Sequence, residues 1–211
     1  VNLPIKLIEN KVFNLYTENI TASDVIPPQP WKIGWFGAIR CRKSLDILTN
    51  LVKNSNGNIE VIIRGRPSLD QFDNFYKDTN SVPGIKFLGE YKNPDDLASI
   101  YSGVHFTWAI DMFEEGLNSS WLLPNRLYEG CLYGSIPIAT ANVETGRVID
   151  SMKIGVALKE VNLNLLTDFF EQLTEKKYCV MKECLLKVPR SLWSHSIEDC
   201  KELVMYLGSL K

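Results

Sequence analysis

The chain has 211 residues, of which 45% are hydrophobic and 23% are charged, and its formal net charge at pH 7 is −2. This composition is typical of a globular domain that buries roughly 70% of its unfolded surface. The slightly acidic balance gives no reason to expect nucleic acid as a partner. No stretch approaches the roughly 18 apolar residues that a membrane-spanning helix needs.

The cysteines also exclude some classes of protein. There are five of them, with no CxxC pair and no histidine nearby at the spacing of a metal site, so we expect reduced thiols in a cytosolic protein. They are Cys41, Cys131, Cys179, Cys184 and Cys200. The first residue is Val1 rather than methionine, and we expect that an upstream part of the protein is missing.

Helical and apolar segments alternate along most of the chain. We interpret residues 1–30 as an N-terminal extension that ends in a proline-rich linker, and residues 31–211 as one domain. The predicted strands are 32–39, 58–64, 85–88, 104–110, 135–140 and 154–158. The predicted helices are 43–54, 68–78, one opening at 93, 124–133, 163–173, 175–186 and 197–207. The pattern predicts an α/β fold, with a Rossmann-like parallel sheet of about six strands and helices on both faces.

Charged residues follow several predicted strands, where the ligands of open parallel sheets bind. Five basic residues come after the first two strands, and they predict a diphosphate site, with solvated loop charges as the alternative. They are Arg40, Arg42, Lys43, Arg64 and Arg66. The pair Asp95-Asp96 is interpreted as part of a helix start, capped at Asn93, rather than as a metal site.

The segment 123–140, LPNRLYEGCLYGSIPIAT, predicts a helix, a sharp stop and a buried strand. Pro124 suits a first helical turn, and Gly134 suits the left-handed residue that ends a helix. One face of this helix packs, and the other presents the carboxylate of Glu129 between Asn125 and Tyr133. Pro137 indicates that the strand begins there or lies near an edge of the sheet.

This segment resembles the pattern LPNKLFEYLAAGKPVIA in the nucleotide-binding half of GT-B glycosyltransferases, in the broad retaining group called family four. The matching residues are Leu123, Pro124, Asn125, Arg126, Leu127, Tyr128, Glu129, Gly134, Pro137 and Ile138. The resemblance covers about residues 31–160 in order. It implies the C-terminal half of a GT-B fold, in which Glu129 bonds the ribose hydroxyls of a nucleotide-sugar donor.

The same resemblance implies roles for residues at other strand ends. Lys43 matches a lysine that holds the donor diphosphate, and Ala38 stands where the family has an arginine, so Arg40 is the expected substitute. Together with Glu129, the implied nucleotide-binding residues are Gly37, Arg64, Glu90, Tyr91, Asn125 and Leu127.

One position departs from the family, whose usual pattern is E-x7-E. Trp121 stands eight residues before Glu129, where the first glutamate is expected. We interpret Trp121 as an ordinary core residue, with stacking against a sugar or a base as the alternative. Glu115 is a candidate for a displaced acid, so the catalytic candidates are Arg40, Lys43 and Glu115. Alternatively, the donor sugar is bound by polar side chains, namely Asn118, Ser119 and Ser120.

The implied activity is transfer of a hexosyl group from a nucleotide diphosphate sugar to a saccharide or lipid-linked saccharide acceptor, in exopolysaccharide biosynthesis. No cofactor and no metal are expected. The resemblance implies that this chain is half of the active enzyme, and that an N-terminal acceptor domain is missing. Two alternatives are a sugar-nucleotide epimerase of GT-B architecture and a non-catalytic domain that binds a partner. We expect a cytoplasmic location, and a peripheral position at the inner face of the membrane stays open.

Overall fold

The computed structural model describes residues 6–13 and 29–209. In these ranges, strands β1 to β8 are Val12–Phe13, Trp31–Ile39, Ile59–Pro67, Ile85–Phe87, Phe106–Trp108, Ile136–Thr140, Val156–Leu158 and Ser194–His195. Helices α1 to α9 are Arg42–Asn54, Phe75–Asn80, Leu97–Ser102, Asn118–Trp121, Asn125–Leu132, Glu144–Met152, Leu163–Glu171, Glu175–Leu186 and Ile197–Ser209. None of the helices in the described ranges is both long and apolar enough to cross a membrane.

Strands β2 to β7 form a six-stranded sheet in the order β4-β3-β2-β5-β6-β7. All of its neighbouring strands run parallel, which confirms the predicted Rossmann-like sheet. From β2 the chain first builds toward one edge through β3 and β4, and then crosses over to build toward the other edge through β5, β6 and β7. The direction therefore reverses between β2 and β5, which is the place where ligands of such sheets bind.

Helices cover the sheet because both of its faces are apolar. All three residues of β5 are buried, as are the first four of β6, which is typical of strands inside a parallel sheet. In α1, Leu45, Leu48 and Leu51 recur every third residue and are fully buried, so this helix packs along one stripe. Each such leucine contributes about 1.5–3 kcal/mol through burial.

The segment around α5 agrees with its prediction. The helix lies within the expected range 124–133, and it ends at Gly134, which has a φ of +75°. A residue with a side chain is strained at that φ, and glycine is not. Pro137 is the second residue of β6, which pairs with β5 on one side and β7 on the other. The proline thus lies at the beginning of a strand that is one position in from the edge.

Two predictions of helices were wrong. The expected helix 68–78 is a short 3₁₀ turn, Leu69–Gln71, followed by α2, because Phe72 is extended and packs its buried ring against Phe75 at 5.2 Å. The helix expected to open at Asn93 begins only at Leu97. Asn93 does not cap it, because Asp96 occupies the position before its first residue, and the amide of Asn93 instead donates to a buried carboxylate on α5.

The N-terminal segment lies against the C-terminal part of the chain. Val12 and Phe13 pair in parallel with Ser194 and His195, and the side chain of Val12 is buried. The first three residues of the predicted linker, 26–30, lie outside the described ranges, and the domain boundary at residue 31 stays a prediction.

The carboxyl ends of β2 and β3 approach each other very closely, and this approach requires glycine. Gly37 pairs with Gly65, and a Cβ atom on Gly65 would lie 1.9 Å from the carbonyl oxygen of Gly37. Both residues also have positive φ, +104° and +130°. Any side chain at position 65 would therefore force the two strands apart at the end where a ligand would bind.

We expect Gly65→Ala to lower the free energy of unfolding by about 3–5 kcal/mol, because the new methyl group collides with backbone. Gly57→Ala is the matched control: Gly57 also has positive φ, but nothing lies within 4 Å of its Cβ position. It should cost only about 1–2 kcal/mol, from backbone conformation alone. Urea denaturation measures both. Equal losses in the two variants would contradict the close approach.

Candidate functional site

Glu129 is the most buried carboxylate of the candidate site, with only 6% of the residue exposed. The hydroxyl of Tyr101 donates a hydrogen bond to its Oε2 at 2.6 Å, and the amide of Asn93 donates to its Oε1 at 3.4 Å. Burial raises the pKa of Glu129, whereas the hydrogen bond from Tyr101 and the charge of Arg126 lower it. Burial thus removes water from the carboxylate, and the hydrogen bond and the positive charge offset part of the cost of that desolvation.

Glu129 still reaches a cavity of about 250 Å³. The walls of this cavity come from the N-terminal segment, the turn before α3, and α5: Asn10, Lys11, Val12, Phe13, Asn93, Pro94, Leu97, Asn125 and Glu129. An ionised carboxylate offers about four acceptor positions, of which the protein uses two. The remaining positions are available to a ligand with hydroxyl groups, and we call this space the ribose cavity after the group that the resemblance predicts beside Glu129.

Two arginines meet at one carboxylate oxygen near the switch point. Arg40 contacts Oδ2 of Asp111 at 3.2 Å, and Arg126 lies 4.0 Å from the same atom. The guanidinium of Arg40 also lies over the ring of Phe113 at 4.7 Å. Because two cations share one anion, this group keeps a net positive charge.

Each of these arginines also has a buried nitrogen without a hydrogen-bond partner among the described residues. These atoms are Nε of Arg40 and Nη1 of Arg126, and Nε of Arg64 is in the same condition. An unpaired buried donor costs about 1–3 kcal/mol, and more when it is charged. The arginines therefore form a group whose hydrogen bonding is incomplete without a further acceptor.

Arg40 and Asp111 line a second cavity, of about 410 Å³. The rest of its lining comes from the 109–124 segment, the end of β6 and the start of α6. These residues are Ala109, Ile110, Glu114, Asn118, Ser119, Trp121, Leu122, Pro124, Thr140, Val143 and Thr145. Pro124 lines this cavity and Asn125 lines the ribose cavity, so both cavities extend to the N-terminal end of α5. We call the second space the sugar cavity.

Tyr91, in the loop after β4, lies near Gly37 and senses the charge of Glu129. It is half-buried, and burial together with the charge of Glu129 raises its pKa to about 12, while Arg126 and Arg64 oppose the shift. Its hydroxyl also lies 3.8 Å from the Cβ position of Gly37. Two of the predicted nucleotide-binding residues, Gly37 and Tyr91, are thus brought together between the arginines and Glu129.

The predicted basic residues are dispersed rather than clustered. Arg42 pairs with Asp46 and Asp78, on the side of α1 that faces α2. Arg66 pairs with Glu90 at 3.4 Å. Arg40 is the one of the five that lines the sugar cavity.

The other two basic residues also have partners outside the cavities. Lys43 pairs with Glu115, and both are largely exposed, so two of the catalytic candidates bind each other. That hydrogen bond raises the pKa of Lys43. Arg64 donates to the backbone carbonyl of Glu90 at 3.0 Å.

The predicted sugar-binding residues and the predicted residues of α5 also differ in whether a ligand can reach them. Asn118 and Ser119 line the sugar cavity, although both bond Glu114, whereas Ser120 does not line it. Leu127 is fully buried in the core, so its side chain has no access to a nucleotide, contrary to the prediction. Its N–H is also used, in a bond to the carbonyl of Pro124.

Two interpretations about α5 and the segment before it need correction. Both faces of α5 are covered, because Tyr101 on α3 packs over Glu129 and stacks on Tyr133. Trp121 is not a core residue: 64% of it is exposed, at the rim of the sugar cavity.

The sequence interpretation missed Asn93, Tyr101, Asp111 and Arg126 as site residues. Arg126 lies inside the matched pattern and could have been found there. Asp111 directly follows the fourth predicted strand, which is a usable signal. Tyr101 gave no signal, because it is 28 residues from Glu129 and belongs to an ordinary apolar helix face. Among the described residues, no group of three or more His, Cys, Asp or Glu side chains could hold a metal ion.

The exposure of Trp121 predicts a small effect on stability. We expect Trp121→Ala to change the free energy of unfolding by no more than about 0.5 kcal/mol. The contrasting variant is Trp108→Ala, because Trp108 is fully buried and its indole N–H bonds Ser44 at 3.0 Å; it should lose about 3–5 kcal/mol. Thermal or urea unfolding compares them. A large loss in Trp121→Ala would restore its interpretation as a core residue.

The chain is 44% identical to the succinoglycan biosynthesis protein ExoL of Rhizobium meliloti, over its full length. It spans about half of that relative, 53% of the ExoL sequence. No family model matches the chain.

Solved structures with low sequence identity share the fold. HepE of Anabaena, solved in complex with UDP-glucose, superposes with a TM-score of 0.66 at 13% identity, over 85% of this chain and 49% of HepE. The C-terminal domain of the glycosyl transferase LpcC from Francisella tularensis gives a TM-score of 0.53 at 15% identity, over 84% of this chain and 94% of that one. The chain is therefore a homologue of ExoL with the fold of the Rossmann-like C-terminal half of a GT-B glycosyltransferase.

Proposed function

We propose that this chain is the donor-binding domain of a glycosyltransferase that transfers a hexosyl group from a nucleoside diphosphate sugar to a saccharide acceptor, in polysaccharide biosynthesis. The names of the relatives support this proposal. ExoL is named for the biosynthesis of succinoglycan, and HepE was solved with UDP-glucose bound. The neighbours that are named as transferases favour transfer over epimerisation.

The observation that carries the proposal is the pair of arginines on Asp111. Arg40 and Arg126 lie at the switch point of the sheet, share one counter-charge and keep unpaired N–H groups. A diphosphate offers several anionic acceptors in a small volume, and a modest rotation of the guanidinium groups would bring their free donors onto it. Binding would then remove the cost of leaving charged donors unpaired.

In this proposal, the rest of the nucleotide sugar occupies the two cavities. Glu129 accepts from the ribose hydroxyls in the ribose cavity, and Tyr91 and Glu90 border the expected position of the base. The transferred sugar occupies the sugar cavity, beside Asn118, Ser119 and the exposed ring of Trp121. The volumes of the two cavities, about 410 and 250 Å³, together lie within the usual range of ligand sites.

The proposed chemistry asks the domain to stabilise a leaving group. Transfer forms a bond from an acceptor hydroxyl oxygen to the anomeric carbon and breaks the bond between that carbon and a diphosphate oxygen. The hydroxyl proton passes to water or to the released diphosphate, and negative charge accumulates on the leaving oxygen. Arg40 and Arg126 stabilise this charge, so no metal ion is needed for it. Lys43 and Glu115 lie at the exposed edge of the same region, and Lys43 joins the diphosphate if its pair with Glu115 opens.

Titration calorimetry with UDP, GDP and ADP tests the diphosphate site. We expect one nucleotide to bind, and Arg40→Gln and Arg126→Gln each to weaken it roughly 10- to 150-fold, which is the loss of one charge-assisted contact. Arg42→Gln is the matched control, because Arg42 belongs to the same loop as Arg40 but pairs with Asp46 and Asp78. Equal weakening in all three variants would mean that general positive charge, and not this site, binds the nucleotide.

A second prediction concerns the relation to the longer relatives. We expect the isolated chain to bind the nucleotide but to transfer little or no sugar, because a GT-B site lies between two halves and this chain supplies one. Radiolabelled donor sugar, offered with and without saccharide acceptors, measures the transfer. Robust transfer by the isolated chain would contradict the proposal that it is half of the enzyme, and epimerised donor sugar would favour the epimerase.

A further inference from the structure

Glu129 receives both of its hydrogen bonds from outside its own helix. Tyr101 belongs to α3, and Asn93 belongs to the turn before it. The two donors contact different oxygens, Oε2 and Oε1, so the plane of the carboxylate is held at both ends. The carboxylate therefore cannot rotate without losing one of these two bonds.

The side chain of Tyr101 is itself rigidly held. It is fully buried, its ring meets Phe36 edge to face at 4.9 Å, and it stacks against Tyr133 with an angle of 16° between the rings. Burial, together with the neighbouring Glu129, raises the pKa of Tyr101 well above its usual value. The hydroxyl therefore stays protonated and acts as a donor at any pH near neutrality.

We propose that Tyr101 and Asn93 are positioning residues, which keep Glu129 ionised and turned so that its free acceptor sites point to the ribose hydroxyls of the nucleotide. This inference rests on the proposed donor-binding function. The shorter bond, from Tyr101, fixes Oε2. The longer bond, from Asn93 at the exposed rim, leaves Oε1 accessible from the ribose cavity.

The surroundings of Glu129 set the sign of its pH dependence. The charged or titratable groups that face it are Tyr101 on α3, Tyr91 in the loop after β4, Arg126 and Tyr133 at the two ends of α5, and Lys11 in the wall of the cavity. Burial raises the pKa of Glu129, and the bond from Tyr101 opposes that shift. Removing the hydroxyl should raise the pKa further, so that Glu129 becomes protonated at a higher pH.

A protonated Glu129 loses an acceptor for the ribose, so ribose recognition should weaken as the pH falls through its pKa. The affinity of UDP divided by that of 2′-deoxy-UDP isolates this contribution, because titration of the phosphates cancels in the ratio. If GDP or ADP is the nucleotide that binds, its own 2′-deoxy form takes the place of 2′-deoxy-UDP. In the unaltered chain, we expect a ratio of about 10 or more near neutral pH that declines on acidification.

Tyr101→Phe removes one oxygen atom and keeps the ring. We expect it to reduce the ratio to about 3 or less, and to shift the decline of the ratio to higher pH. Tyr133→Phe is the matched control, since it keeps both the stacked pair of rings and the bond from Tyr101 to Glu129, and its ratio should stay unchanged. Asn93→Ala, at an exposed position, should lower the ratio in the same direction even if Tyr101→Phe fails to fold.

Three outcomes would overturn the inference. One is an unchanged ratio and pH profile in both Tyr101→Phe and Asn93→Ala. Another is an equal loss in Tyr133→Phe, which would indicate a packing effect. The third is a ratio that survives in Glu129→Gln. Failure of the unaltered chain to bind any of the three nucleotides is a distinct result, because it would reject the donor-binding function itself.

Discussion

The burial of the Glu129 carboxylate is the constraint on which the candidate site depends. Moving an ionised carboxylate out of water costs several kcal/mol unless hydrogen bonds and an opposite charge compensate. Here the compensation comes from Tyr101, Asn93 and Arg126, so α3, the turn before it and α5 have to pack in one arrangement. The same arrangement opens the ribose cavity on one side of α5 and directs Arg126 toward Asp111 on the other. The unfavourable burial of the Glu129 carboxylate thereby fixes the positions of Tyr101, Asn93 and Arg126.

Most cations at the strand ends are already paired with acids. Arg40 has Asp111, Lys43 has Glu115, and Arg66 has Glu90. A strong anionic ligand would therefore exchange partners with these acids rather than meet bare positive charge. The pairs that are exposed contribute little to stability and open easily. The pairing of Arg40 and Arg126 with a single acid differs, since it leaves one positive charge and two N–H donors unpaired, and this difference makes Asp111 the centre of the proposed anion site.

Much of the fold could be predicted, because the alternation of helical and apolar segments specifies a parallel sheet, and α5 carries strong local signals in Pro124 and Gly134.

The site was less predictable, because its contacts join distant residues: Tyr101 reaches Glu129 across 28 positions, and Arg40 reaches Asp111 across 71. Local reasoning also gave Asn93 a capping role, since an asparagine before a proline is a good local cap. The helix begins only at Leu97, which leaves Asn93 too far from its first turn to cap it. Trp121 was placed in the core on residue type alone, and only the path of the 111–121 segment shows it at a rim.

The departure at Trp121 from the GT-B pattern falls in a segment that the structure constrains little. Helix α5 contacts β5, β6 and α3, so the residues that resemble the family are held from several sides. The segment between β5 and α5 has few such contacts, and Leu117 and Trp121 are among its exposed residues. A change there alters what borders the sugar cavity without disturbing the core. With tryptophan in place of the first glutamate, the carboxylates beside this cavity are Asp111 and Glu114, and Asp111 is already committed to two arginines. In the proposed donor complex, the polar recognition of the sugar therefore comes chiefly from Glu114, Asn118 and Ser119, of which the last two each bond Glu114.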